Sequence, residues 1–519
     1  MGKVIVKWPW VIACVMAAAW LLLQVPSPGK FLTDADWGHQ LAGANQILFG
    51  EHPNIDWRST YGPLTFYASA LFQVLFHGAP LGEIVLMLLG YFASYMVMFR
   101  LLKSASGRYW IALGILAFAL LVVPRTYKHY ILLWPLLSLG AIWLYMKAPS
   151  LPRLWLLAAI IAITGLFRPD YGAYTTLAAI IGFAACEGNA GKRLPRILGL
   201  VGAIVICASP WLIFAGIHHG IGDYVRDNFL ISVQHAEGSA LPFPRPNVML
   251  GFSSDDNVRF FGLVTFLLVP ACSAVILWFS RKDVPRAERD RVIVAIALAQ
   301  FCLIQGLHKI DPGHFFQAIP MTFIPLGWML GRIGVGWESV RVKAFAVVAG
   351  VLLLFPFLCT VKMALAKSRR PETFSYLEIA DDLSTFTSKE AVLAAIPAGA
   401  PQHWIVQTMD YVRANTKPGE KITVLPAFPN LIYFSNHPFS GGQMVIVPGY
   451  FTDDEDQQRF LKGLRRDQVS VVVEEIDYPL DGIEERRMSK FAKPIRTYLD
   501  TEYRTVAHYG PVDIKRPIR

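Results

Sequence analysis

Apolar runs long enough to cross the hydrocarbon core of a bilayer recur about eleven times along the first 362 residues, and this repetition restricts the chain to a polytopic α-helical membrane protein. Such a helix needs roughly 17 to 25 mostly apolar residues. A window reading places the runs at 8–25, 82–101, 109–124, 130–146, 153–167, 171–187, 197–217, 259–280, 290–307, 315–331 and 343–362. A hydrophobic content of 54% against 17% charged residues agrees, since an ordinary soluble enzyme of this length carries more charge. Lys3 and Lys7 precede the first run, but no small-residue cleavage site follows it and Pro26 to Gly29 comes next, so it reads as a retained first helix.

Where the charges fall sets the orientation. The formal net charge of +10 could serve nucleic acid, anionic lipid or topology. With the N-terminus inside, the inner loops hold eighteen Lys and Arg, among them Arg100, Lys103, Lys147, Arg281, Arg286 and Arg291. The outer loops, although longer, hold nine: Lys30, Arg58, Arg125, Lys128, Arg168, Arg226, Arg245, Arg259 and Lys309. The positive-inside rule therefore predicts an N-in, C-out chain, and no nucleic-acid partner is needed to explain the charge. The apolar segment Leu64 to Phe76 is too short to span, and counting it would put the cation-rich loops outside. It reads as an interfacial helix in a first external loop covering 26–81.

Beyond Lys362 the charged fraction rises and short strand and helix patterns alternate. Trp404 to Asn415, Asp453 to Leu464 and Glu484 to Leu499 read as helices, Lys421 to Ala427 and Val469 to Glu474 as strands, and Tyr503 to Lys515 as two more strands. The domain organisation expected is thus a transmembrane domain, 1–362, and an extracytoplasmic soluble α/β domain, 363–519. The latter has no GxGxxG or Walker loop. The six cysteines fall in or beside apolar runs with no CxxC pair, so neither a disulfide framework nor a zinc site is indicated.

In this orientation the unusual polar residues collect on the outer side. The first loop carries Asp34, Asp36, His39, Asp56, Arg58 and Tyr61; the loop after the third run has Arg125 and Lys128; that after the fifth has Arg168 and Asp170; that after the ninth has His308, Lys309, Asp311 and His314. Ionisable groups held at a membrane boundary are costly and become functional candidates, although each singly has a plainer reading as a solvated or lipid-anchoring side chain. The six-residue separation of His308 and His314, with no nearby Cys or Glu, does not make a metal site. An enzyme moving a group from a phosphate-bearing lipid needs a carboxylate to take the acceptor's proton and cations for the leaving phosphate. Asp36 or Asp34 suits the first role, and Arg125, Lys128 and Arg168 suit the second. His39, Asp56, Arg58, Tyr61, Asp170, His308, Lys309, Asp311 and His314 are candidates to shape the site or meet the acceptor.

The order of these parts resembles the GT-C superfamily of membrane glycosyltransferases, which includes protein O-mannosyltransferases and the lipid A aminoarabinose transferase. The resemblance is carried by a first helix, the external acidic motif Asp34-Ala35-Asp36-Trp37-Gly38, a helix ending at Leu48-Phe49-Gly50, a second acid at Asp56, Tyr61-Gly62-Pro63-Leu64, and an interfacial helix closing at Phe76-His77-Gly78. Tyr411 to Asn415, Lys421 to Pro426, Tyr433-Phe434-Ser435 and Tyr503 to Tyr509 resemble the soluble domain capping many bacterial members. The resemblance implies a polyprenyl-phosphate-linked sugar as donor, a first-loop Asp as general base, and a glycolipid, glycan or protein acceptor at a bacterial inner membrane. Many members carry a further Asp after the third span where this chain has Arg125-Thr126-Tyr127-Lys128-His129, which weakens the case for a second carboxylate and a metal-dependent mechanism; a divalent cation is the one cofactor left open. A transporter or flippase of lipid-linked glycans is the alternative of another class, but neither an internal repeat nor mid-span charges support it. A non-enzymatic assembly subunit would leave the outer acids and cations unexplained.

Overall fold

The computed structural model describes residues 8–23, 25–121, 127–186, 193–240, 243, 245, 255–308, 319–332, 383–449, 454–476 and 479–518. The chain divides into two compact units. Unit 1 takes Met1–Val25, Met87–Trp211 and Ala240–Ile379; unit 2 takes Pro26–Leu86, Leu212–Ser239 and Ala380–Arg519. The expected boundary at 362/363 lies outside the described residues.

Among the described residues, helices Leu81–Ser106, Tyr130–Lys147 and Arg193–His218 are long and apolar enough to cross a membrane, and Trp8–Leu22, Tyr109–Leu121, Leu151–Phe167 and Leu267–Phe279 are apolar but shorter. The runs at 171–187 and 290–307 fold as Pro169–Cys186 and Arg286–His308. The run at 315–331 is less regular than expected. It forms a 3-10 turn, Ile319–Thr322, followed by the ten-residue helix Phe323–Arg332, because Pro320 and Pro325 remove amide donors that a continuous helix would use. The last expected span, 343–362, lies outside the described residues.

In unit 1, Arg286–His308 packs along Pro169–Cys186, Tyr130–Lys147 along Leu151–Phe167, and Trp8–Leu22 against Tyr109–Leu121. Small residues permit the closest approaches, as they do where apolar side chains gain little from leaving lipid. A Cβ built on Gly172 would lie 2.5 Å from the Gly165 Cα, so Leu151–Phe167 and the helix after it meet backbone to backbone. Ser138 and Thr164 bridge their two helices through a buried hydroxyl pair at 3.1 Å.

Unit 2 is built on Ala35–Leu48, which packs on Pro63–Leu75 and on the short helix Pro429–Ser435. The expected 64–76 helix is the thirteen-residue Pro63–Leu75, with Pro at its first turn where the missing amide costs nothing. Phe31 contacts Trp37, Phe386 and Phe434 at ring-centroid distances of 4.7, 5.5 and 6.3 Å, joining the first loop to the C-terminal segment. A buried Glu83 carboxylate accepts from Gln40 Nε2 and from the Ser69 hydroxyl, tying three helix segments together.

The C-terminal part carries a four-stranded sheet of order β1-β2-β4-β3: β1 Thr423–Leu425, β2 Val472–Glu475, β3 Tyr503–Tyr509 and β4 Val512–Pro517. β1 and β2 run parallel; the other pairs are antiparallel. Helices His403–Asn415 and Asp454–Asp467 match the sequence reading closely. The expected helix Glu484 to Leu499 is instead three pieces, Glu484–Arg486, Met488–Phe491 and Lys493–Glu502. Pro494 has no amide to continue a helix from the preceding turn, so it starts a new one.

Gly38 shows how tightly this unit is joined. A Cβ there would fall 2.5 Å from the Asn430 backbone nitrogen, so Ala35–Leu48 can seat Pro429–Ser435 only with a glycine at this point. Gly38→Ala is expected to destabilise the fold by about 3 kcal/mol or more, since backbone must move to relieve the overlap. A thermal melt of the purified variant that matched the parent would contradict this packing.

Candidate active site

The acidic motif forms the start of a helix in unit 2. Asp34 is the N-cap of Ala35–Leu48, its Oδ1 accepting from the Asp36 and Trp37 amides at 3.1 and 3.2 Å. Asp36 sits in the first turn, half-buried. The two acids therefore differ in employment: Asp34 satisfies amides that the helix leaves unpaired, whereas the Asp36 carboxylate is not the cap. Burial pulls the nearby Lys30 ammonium below its ordinary range, and the Asp34 charge opposes that pull. Trp37 is fully buried, so the Trp-Gly after Asp36 anchors the helix start in the core of the unit.

His39 and Tyr61 come together, as ring neighbours at 5.5 Å, and His39 stacks on Phe66 at 5.6 Å. The imidazole is buried with Nε2 3.4 Å from the Ser59 hydroxyl. Asn54 holds the turn before them, donating to the Tyr61 carbonyl at 2.9 Å and accepting from the Ser59 amide at 2.9 Å. Asp56 and Arg58 line a cleft of about 390 Å³ in the same unit, together with residues of Ile221–Ser239, Asp454–Asp467 and the Gly441-Gly442 turn.

This cleft is organised around Asp227. Arg58 bridges Asp227 at 3.7 Å and pairs with Asp456; His219 and Arg226 reach Asp227 at 3.3 Å each, and Arg459 at 4.0 Å. Burial alone raises the Asp227 carboxyl, but Arg58, His219, Arg226 and Arg459 together outweigh it and hold the group below the usual carboxylate range. Sequence reasoning singled out only Asp56 and Arg58 here. His219, Asp227, Asp456 and Arg459 come from segments far apart in the chain. An available signal was Asp456 and Arg459 at i, i+3 on the expected helix Asp453 to Leu464, which puts both on one face.

The cations lie in unit 1. Lys128 is buried, its Nζ 4.9 Å from the Tyr127 ring centre. Arg168 ends Leu151–Phe167 and forms a two-pronged pair with Asp170, Nε to Oδ1 at 2.9 Å and Nη2 to Oδ2 at 2.6 Å. Tyr130 stacks on Phe167 at 5.7 Å, which brings the segments carrying Lys128 and Arg168 to one corner of the unit. Burial pushes His129, beside Lys128, down to about 4, so its ring is neutral at pH 7. The Tyr171 hydroxyl at the same corner is buried without a hydrogen-bond partner among the described residues. His308 is the last residue of its helix, whereas Arg125, Lys309, Asp311 and His314 lie outside the described residues. Among the described residues there is no group of three or more His, Cys, Asp or Glu arranged to hold a metal ion.

No protein-family model matches the chain, and no curated protein does. Solved structures do. ArnT from Cupriavidus metallidurans bound to undecaprenyl phosphate is similar with a TM-score of 0.50 and 13% identity, over 99% of this chain and 98% of that one. The same protein in the apo state is similar with a TM-score of 0.50 and 14% identity over the same shares. At such identities the likeness concerns the fold, and because it runs nearly end to end in both proteins, this chain has the fold of ArnT.

Proposed function

We propose that this protein is a glycosyltransferase that moves a sugar from a polyprenyl-phosphate donor to an envelope acceptor on the outer face of a bacterial cytoplasmic membrane. The observation that carries the reading is the end-to-end likeness to a structure holding undecaprenyl phosphate, a lipid phosphate of the donor's chemical class. The chain's own residues supply matching chemistry. Asp36 takes the proton from the attacking acceptor hydroxyl, and the sugar's bond to phosphate breaks as the new glycosidic bond forms. Lys128 and Arg168, with Arg125 as a third candidate, neutralise the phosphate that leaves with the lipid. Asp34 holds the helix start on which Asp36 sits. His39 and Tyr61 shape the wall beside it, and the Arg58 and Asp227 cleft meets polar groups of the acceptor.

Mass spectrometry of envelope glycolipids and glycans from a deletion strain tests the reading, with alkaline phosphatase fusions in the same strain to check the side of the membrane. Loss of one sugar substituent, restored by the intact gene, is expected, as is an active fusion after Lys367 and an inactive one after Arg286. Unchanged glycans, or a lipid-linked glycan that accumulates with its acceptor fully modified, would overturn transfer in favour of transport or another role.

A further inference from the structure

Unit 1 contains a groove of about 1030 Å³ between Leu81–Ser106, Tyr130–Lys147, Leu151–Phe167 and Arg286–His308. Its walls are apolar, with Leu101, Leu137, Leu156 and Ile160 among them, and Gly140 leaves depth in the middle of one wall. Its rim is cationic: Arg100, Lys147, Arg286 and Arg291 come from three different helices. A carboxylate also lines it: Asp290, buried beneath, lies 3.8 Å from Arg286. Arg291 is fixed in place, donating to the Ala287 carbonyl at 3.2 Å and the Ser104 hydroxyl at 3.3 Å, over the Trp143 ring.

A cationic rim above an apolar trough is the complement of an anionic amphiphile. Topology alone asks for cations in the inner loops, and gives no reason for a glycine-deepened apolar trough beneath them. A free anion would account for the cations but not for the trough, and a neutral lipid would account for the trough but offer the cations no headgroup anion. We infer that this groove is a binding site for an anionic phospholipid, with the phosphodiester against Arg100, Lys147 and Arg286 and an acyl chain along the wall at Gly140. The site lies wholly in unit 1, goes beyond the transfer reaction and stands independently of it.

The test uses the full chain in nanodiscs of phosphatidylcholine with a minor share of phosphatidylglycerol, with retained lipid identified by native mass spectrometry. One phosphatidylglycerol per chain is expected, well above its share of the bilayer. Each cation near a membrane surface favours anionic lipid by about five-fold, so R100Q with K147Q should lower that preference by roughly 25-fold. Gly140→Leu tests the trough separately. A Cβ there meets Leu101 at 3.7 Å, an ordinary contact, and leucine suits a helix better than glycine, so the variant should fold normally yet lose the lipid. Equal retention of the two lipids by the parent chain, unchanged retention in both variants, or displacement of the lipid by millimolar inorganic phosphate, which would mark a simple anion site, overturns the assignment.

Discussion

Asn in place of Asp36 is expected to lower sugar transfer from a polyprenyl-phosphate donor by about 10²- to 10⁴-fold, the usual worth of a general base, while leaving the amount of folded protein unchanged. The substitution is nearly isosteric and removes the negative charge and, with it, the ability to accept the acceptor's proton. The helix does not depend on it, because the amides at the start of Ala35–Leu48 are satisfied by Asp34. The attraction of a first-turn carboxylate to the helix dipole, about 0.3–1 kcal/mol, is one part of what Asp36 contributes to folding. Asp34→Asn serves as the matched control, since Asn caps a helix as well as Asp does and the variant should fold and transfer normally. Asp34→Ala, by contrast, should cost about 1 kcal/mol of stability. Full activity in Asp36→Asn together with its loss in Asp34→Asn moves the role by two residues. Full activity in both removes the chemical basis for the transferase reading.

That distinction was not available from the sequence. In Asp34-Ala35-Asp36 either acid can precede a helix as its cap, and only the backbone shows that Asp34 does so. Patterns with a local cause were legible: the thirteen-residue helix after Gly62 and the paired strands Tyr503–Tyr509 and Val512–Pro517 follow from apolar spacing and nearby turn residues, whereas the helix ending at Leu48 was expected from the family resemblance. The reading of Glu484 to Leu499 as one helix failed because its apolar spacing continues across Pro494 while its backbone cannot. Tertiary choices were less visible. Arg168 and Asp170 read as a phosphate ligand and a separate acid, yet they pair with each other across one residue. The cleft around Asp227 draws on residues more than two hundred positions apart, and no local spacing signals such a meeting.

The pairing of Arg168 leads to an unequal expectation for the two described cations. Lys128→Ala should reduce kcat/KM for the polyprenyl-phosphate donor by about 10²- to 10³-fold, the scale of losing one fixed donor to developing negative charge in a site shielded from water. Lys128 is buried, so its charge is poorly screened by solvent. Lys128→Arg keeps the charge but puts a larger, planar guanidinium in a buried position that holds a compact ammonium, and should recover only part of the loss. Arg168 already shares its guanidinium with Asp170, so Arg168→Ala should lower kcat/KM by less than Lys128→Ala does. Its cost in stability should be about 1 kcal/mol or less, because Asp170 is 29% exposed and can be solvated when the pair is broken. Transfer assays in membranes, normalised to protein level and run over a range of donor concentration, separate these outcomes. A structural role for Lys128 would lower protein abundance and leave kcat/KM per folded molecule unaltered. A phosphate ligand does the reverse, and normal kinetics in both alanine variants would remove Lys128 and Arg168 from the reaction.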